Sequence, residues 1–97
     1  MMSPIFLDPA KQELKSAVDY YDSCSDGLGK QFALEIKKSL SHIIRYPHAW
    51  TLVRNNVRRY IINRFPYVII YYLDGNNIII VAIMNSSQQP EYWINRI

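Results

Sequence analysis

Cysteine is nearly missing from this chain: Cys24 stands alone, so no intrachain disulfide can form. Its neighbours Asp22 and Asp26 also disfavour a thiolate nucleophile. Histidine is almost as scarce. His42 and His48 stand six apart with no thiol or acidic ligands beside them, so both read as surface residues and no metal is expected. With only three glycines there is no phosphate-binding glycine loop, and neither an HExxH sequence nor a supported Ser/His/Asp set occurs. No cofactor is expected. The opening MMSPIFLDPAKQE lacks a charged n-region and a long apolar run, which argues against a signal peptide. No segment approaches the roughly 18 apolar residues that span a bilayer. A cytoplasmic protein without membrane contact is the expectation.

What is present is a core. The 97 residues are 49% hydrophobic, which suits one globular domain over residues 1–97. A chain this long buries roughly two-thirds of its unfolded surface. The net charge of +3 is unevenly placed: residues 1–48 carry six basic and six acidic residues, residues 49–97 five and two. The excess in the second half favours an acidic or anionic partner.

That second half contains VRRYIINRFPYVIIYYL, rich in the β-branched and aromatic residues that fit a pleated surface. Pro66 cannot donate to a ladder, so it divides the run into strands over about 57–64 and 67–73. Asp74, Gly75, Asn76 and Asn77 form a turn signal. A third strand over about 78–84, apolar at nearly every position, suits burial on both faces. Four arginines, at 54, 58, 59 and 64, follow Arg45 with no acidic residue among them. Strand alternation puts Arg58, Tyr60, Ile62 and Arg64 on one face and Arg59 on the other. Arginine is seldom buried without a partner, so the Arg58/Arg64 face is expected to meet solvent or a ligand.

The first half reads as helical. Residues 4–7 suit an edge strand. Asp8-Pro9 reads as an N-cap with proline at the first helical position. Ala10, Leu14, Ala17, Val18 and Tyr21 then recur at helical spacing, with Lys11, Glu13, Lys15 and Asp19 assigned to other faces. Residues 23–29 turn the chain. A second helix carries Phe32, Ile36, Leu40 and Ile43 on one stripe and ends at Pro47. The connection over 47–56 holds Trp50, read as a packing residue. After the last strand, residues near Pro90 begin a short terminal helix. Tyr92 and Arg96 share one side of it, and Trp93 with Ile97 packs on the body. The predicted class is α+β: an antiparallel sheet in the order βααβββ, an α-hairpin on one face and a short C-terminal helix. Two readings stay open for Tyr92: capping the core, which the pattern alone favours, or meeting Arg96 and the arginine face in one shallow groove.

The ordered set of these residues resembles the RelE/ParE superfamily of toxins from bacterial type II toxin–antitoxin modules. The matching positions are Pro9, Leu14, Tyr20 and Tyr21, Leu28-Gly29, Phe32 and Pro47, then Val57-Arg58-Arg59. Arg64-Phe65-Pro66-Tyr67, Tyr71 and Pro90-x-Tyr92-Trp93-x-x-Arg96 complete it, over essentially the whole chain. The resemblance implies a toxin neutralised by a cognate antitoxin in a hetero-oligomer. RelE-like members cut messenger RNA on the ribosome; ParE-like members block DNA gyrase. For an RNase, Arg64 matches a sheet arginine suited to phosphate and Tyr92 a tail tyrosine used for acid–base work or stacking. Asn85, Ser86, Ser87, Gln88 and Gln89 are neutral where many RNA-cutting relatives carry His, Lys or Arg. Losing such cations from a charged transition state costs about a few kcal/mol each. The neutral segment argues against efficient RNA cutting, and L-G-x-x-F, R-F-P-Y and P-x-Y-W resemble the ParE-like side, which is favoured over a ribosome-dependent RNase or a toxin-fold remnant without activity. Arg54, Arg58, Arg59, Arg64, Asn85, Tyr92 and Arg96 are the expected contacts to target or antitoxin.

Overall fold

The most apolar segment becomes an interior strand of the sheet. In the computed structural model, which describes residues 2–97, β5 (Asn77–Asn85) lies between β1 (Ser3–Phe6) and β4 (Tyr67–Asp74). Its residues from Ile78 to Ile83 are all buried, as a strand covered on both faces requires. β3 (Val57–Ile61) and β2 (Thr51–Arg54) extend the sheet beyond β4, in the order β1-β5-β4-β3-β2. Only the β1–β5 pairing is parallel.

Two helices, α1 (Asp8–Cys24) and α2 (Leu28–Arg45), separate β1 from β2 and pack on one face of the sheet. The α+β class and the hairpin on one face therefore hold, with one strand more than expected. Thr51–Arg54 pairs antiparallel with β3 through a turn at Asn55 (φ +46°) and Asn56. Four residues with an exposed, partly polar pattern carry too little periodicity to stand out from a loop. Trp50 packs edge-on against Tyr60 at 4.6 Å, as a packing residue should.

Three local expectations are corrected. The N-cap of α1 is Leu7, not Asp8. Leu7 still donates to the Ile80 carbonyl at 3.0 Å and stays extended, so it takes the cap position and the helix begins at Asp8, one residue earlier than expected, with Asp8 in its positive first turn. β3 ends at Ile61, short of Arg64. Residues 62–66 turn tightly, Ile62 N–H bonding the Tyr67 carbonyl at 3.2 Å, with Arg64 at φ +71°. The tail forms successive turns and one 3₁₀ turn, Ile94–Arg96, because Glu91 at φ +64° breaks the helical path. Trp93 is buried as expected, while Ile97 is half exposed.

The helix hairpin is close because Gly29 has no side chain. A Cβ there would fall 2.4 Å from the Val18 carbonyl oxygen, and its N–H bonds Asp22 Oδ1 at 2.8 Å. Phe32, Ile36 and Ile43 of α2 and Ala10 and Ala17 of α1 then meet Tyr60, Ile69, Tyr71, Ile78, Ile80 and Ile83 of the sheet. A bulge sorts β5 between two cores. Tyr71 pairs with Ile80 and Ile70 with Ala82, leaving Val81 as the extra residue. Ile80 and Ile83 face the helices, whereas Val81 and Ala82 join Val57 and Ile70 under Trp93 on the opposite face.

Candidate functional site

The arginine face expected to be open is the one the helices cover. Arg58 pairs across β3–β4 with Tyr71, and Tyr60 with Ile69, both on the helix side. Arg58 is half-buried and escapes at the margin of the core, donating to the Trp50 carbonyl at 2.7 Å. Tyr60 is buried and hydrogen-bonded to His42 Nδ1 at 2.7 Å. The α-hairpin needs apolar surface beneath it. Tyr60 and Ile62 supply that surface, so alternation hands the other face to Arg59 and Ile61.

On that other face lies a groove of about 440 Å³. Its apolar floor and walls include Ile61, Val68, Met84, Pro66, Pro90 and Trp93, with Arg59 and Glu91 supplying charge. Ile61 is 65% exposed, a large aliphatic side chain with nothing over it. Arg54 meets Glu91 at 3.5 Å beside the groove, both side chains about half exposed. A contiguous apolar patch rimmed by Arg59, unpaired among the described residues, and by the Arg54–Glu91 pair is the chemistry of a protein-binding surface.

Arg64 lies elsewhere. It donates to Gln31 Oε1 of α2 at 2.6 Å, with its guanidinium 5.4 Å from the Phe65 ring. It lines a second cleft with Lys37, Lys38 and Ser41 on the helical side. Asn85 organises the turn after β5, its Oδ1 accepting from the Ser87 N–H at 2.9 Å and the Ser87 hydroxyl at 2.7 Å.

Tyr92 and Arg96 do share a partner, one the sequence pattern placed away from the apolar stripe of α1. Glu13 of α1 accepts from the Tyr92 hydroxyl and from both terminal nitrogens of Arg96, at 2.8 and 3.0 Å. It also accepts from the Ile83 N–H at 3.1 Å. The Arg96 guanidinium lies 4.9 Å from the Tyr92 ring centroid and donates to the Val81 carbonyl at 3.0 Å. Burial raises the Tyr92 phenol, and the Glu13 carboxylate raises it further. The Glu13 hydrogen bond raises the Arg96 guanidinium. A signal for Glu13 existed. It stands three residues after Ala10 and four before Ala17, both buried, and so on the buried side of α1.

The one groove in which Tyr92, Arg96 and the arginine face could have met is therefore not formed. Arg59 and Arg54 flank the open-face groove; Tyr92 and Arg96 bind Glu13; Arg58 reaches the loop before β2 and Arg64 reaches α2. Among the described residues, no helix is long and apolar enough to cross a membrane, and no group of three or more His, Cys, Asp and Glu could hold a metal.

An α-hairpin laid across one face of this sheet is also the fold of a solved structure described as "Chromosomal ParDE TA system from P. aeruginosa". The TM-score is 0.75 at 19% identity, over 88% of this chain and 96% of that one. No curated protein matches the sequence. Residues 5–90 match the family model of the ParE toxin of the type II toxin–antitoxin system parDE. The chain belongs to that family: it is a ParE-type toxin of a type II toxin–antitoxin system. The matched range ends at Pro90, ahead of Tyr92 and Arg96.

Proposed function

We propose that this toxin arrests growth by binding a protein, DNA gyrase being the expected target, and that a cognate antitoxin neutralises it by covering the open sheet face. The observation that carries the reading is the separate anchoring of Arg64 and Tyr92. Arg64 is held by Gln31 of α2, and the Tyr92 hydroxyl donates to Glu13 of α1. An RNase needs its cation and its proton donor converging on one phosphate. The open-face groove supports the antitoxin half of the reading. An acidic, amphipathic segment would set aliphatic side chains on Ile61 and Met84 and a carboxylate on Arg59.

The test is induced expression with separate readouts of DNA and protein synthesis, together with supercoiling by purified gyrase. DNA synthesis stops first, messenger RNA stays intact, and co-expression of the adjacent gene product restores growth. Site-specific RNA cleavage in a ribosome-containing extract, lost on Tyr92→Phe, overturns the reading.

A further inference from the structure

β1 is too short to pair with all of β5. Its last backbone bond runs from Leu7 N–H to the Ile80 carbonyl, after which the chain enters α1. Beyond that point β5 has no strand on its outer side, and an open edge invites another chain. Two side chains stand where the strand would have been. Glu13 Oε1 accepts from the Ile83 N–H at 3.1 Å, and Arg96 donates to the Val81 carbonyl at 3.0 Å. The acceptor and the donor then meet each other at 2.8 Å. Val81 is the bulge residue, with no register partner on β4, so the strand is least supported here.

This clasp ties the tail to the body. Tyr92 and Arg96 bind Glu13, while Pro90, Glu91 and Trp93, from the same short segment, line the groove on the opposite face. Hydrogen bonds to ionised groups are about twice as strong as neutral ones. Those on Glu13 bind a segment with little regular structure of its own, a single 3₁₀ turn.

We infer that Glu13 is a positioning residue for partner recognition: by holding Tyr92 and Arg96 it fixes the tail as one wall of the open-face groove. This rests on the reading that the groove takes the protein target, and that the antitoxin neutralises the toxin by covering that same face. The polarity of the clasp is set by the backbone, since Ile83 offers a donor and Val81 an acceptor. A charge swap, Glu13→Arg with Arg96→Glu, keeps the ion pair but sets donor against donor and acceptor against acceptor. It does not restore function.

The test uses the full chain as wild type, as Glu13→Gln and as the swap. Growth arrest is read as the inducer dose required, tail and Ile83 amides by hydrogen exchange, and the body by thermal unfolding. In Glu13→Gln the Ile83 and tail amides exchange about tenfold or more faster and potency falls about tenfold, while unfolding stays cooperative. The swap is no better than the single change. Full potency in Glu13→Gln with a loosened tail overturns the proposal, as does a swap that restores potency and protection. If the swap does not fold, Arg96→Lys decides. It keeps the charge but lacks the fork that serves Glu13 and Val81 together, so reduced potency is expected and full potency overturns the role. If the wild type arrests no growth, the functional reading fails and the positioning role with it, while the exchange arm still decides whether the clasp holds the tail.

Discussion

The guanidinium of Arg96 donates to both carboxylate oxygens of Glu13, at 2.8 and 3.0 Å, across 83 residues of chain. Each side chain is 19% exposed, so the pair is shielded from solvent without being dry. Together they satisfy backbone groups of β5 at Ile83 and Val81. Removing one partner leaves a charge in poor solvent. Arg96→Ala and Glu13→Ala should each lower stability by about 2–4 kcal/mol. Urea titration of both and of the double variant checks this. The double variant should cost less than the sum, because each single loss already breaks the shared contact.

Ile61 has almost nothing to lose on folding, at 65% exposure. Ile61→Asp should leave the thermal midpoint within a few degrees of wild type, since exposed substitutions usually change stability by about 0.5 kcal/mol or less. It should nevertheless abolish co-purification with a cognate antitoxin. Arg59→Glu, on the same face of β3, should weaken that complex and leave the fold intact.

Gly29 of α2 sits against α1, with the Val18 carbonyl oxygen 2.4 Å and the Asp22 carboxyl 2.7 Å from where a Cβ would lie. Backbone cannot yield as a flexible side chain can. Gly29→Ala should therefore destabilise by about 1–3 kcal/mol or more despite alanine's better helix propensity. Chemical denaturation would show it. Gly27, at φ +80° with open space around it, should respond through backbone strain alone.

Arg64 occupies φ +71° in the turn between β3 and β4. That conformation costs a non-glycine residue about 1–2 kcal/mol. Arg64→Gly relieves it, at the expense of about 0.5–1 kcal/mol of added unfolded-state freedom and an exposed bond to Gln31. The net change should be near zero. Arg64→Val, branched at Cβ, should lose stability in the same turn. Thermal unfolding of the two variants separates backbone strain from loss of the guanidinium.

Tyr71 is fully buried, donates to the Pro47 carbonyl at 2.8 Å and has its phenol pushed up to about 12, mainly by burial and partly offset by Arg58. The folded state thus favours the neutral phenol. Its contribution is complete below the ordinary phenol value of 10.0 and is lost as pH rises from there through about 12. Tyr92, raised in the same direction, adds to the loss. The melting temperature should fall steeply above about pH 10. Tyr71→Phe should melt lower at neutral pH, lacking the bond to Pro47, yet show a shallower alkaline slope.

Much of this molecule follows from short-range pattern. Helical spacing from Ala10 to Tyr21 and from Phe32 to Ile43, the β-branched runs around Pro66 and the turn at Gly75 each act over a few residues. They define elements, their order and an arginine-rich second half without reference to the rest of the chain. Which face of β3 the hairpin would cover was beyond them. Alternation separates Arg58 from Arg59 but does not say which side is wet, and Arg58 is tolerated at the core margin only because the Trp50 carbonyl receives it. The bulge that moves Val81 out of register depends on how β4 and β5 pair, not on either strand alone. Glu13 was legible as a carboxylate between two small residues. Its role was not, because the groups that give it meaning, at Ile83, Tyr92 and Arg96, lie at least 70 residues away in sequence and are brought to it only by the assembled fold.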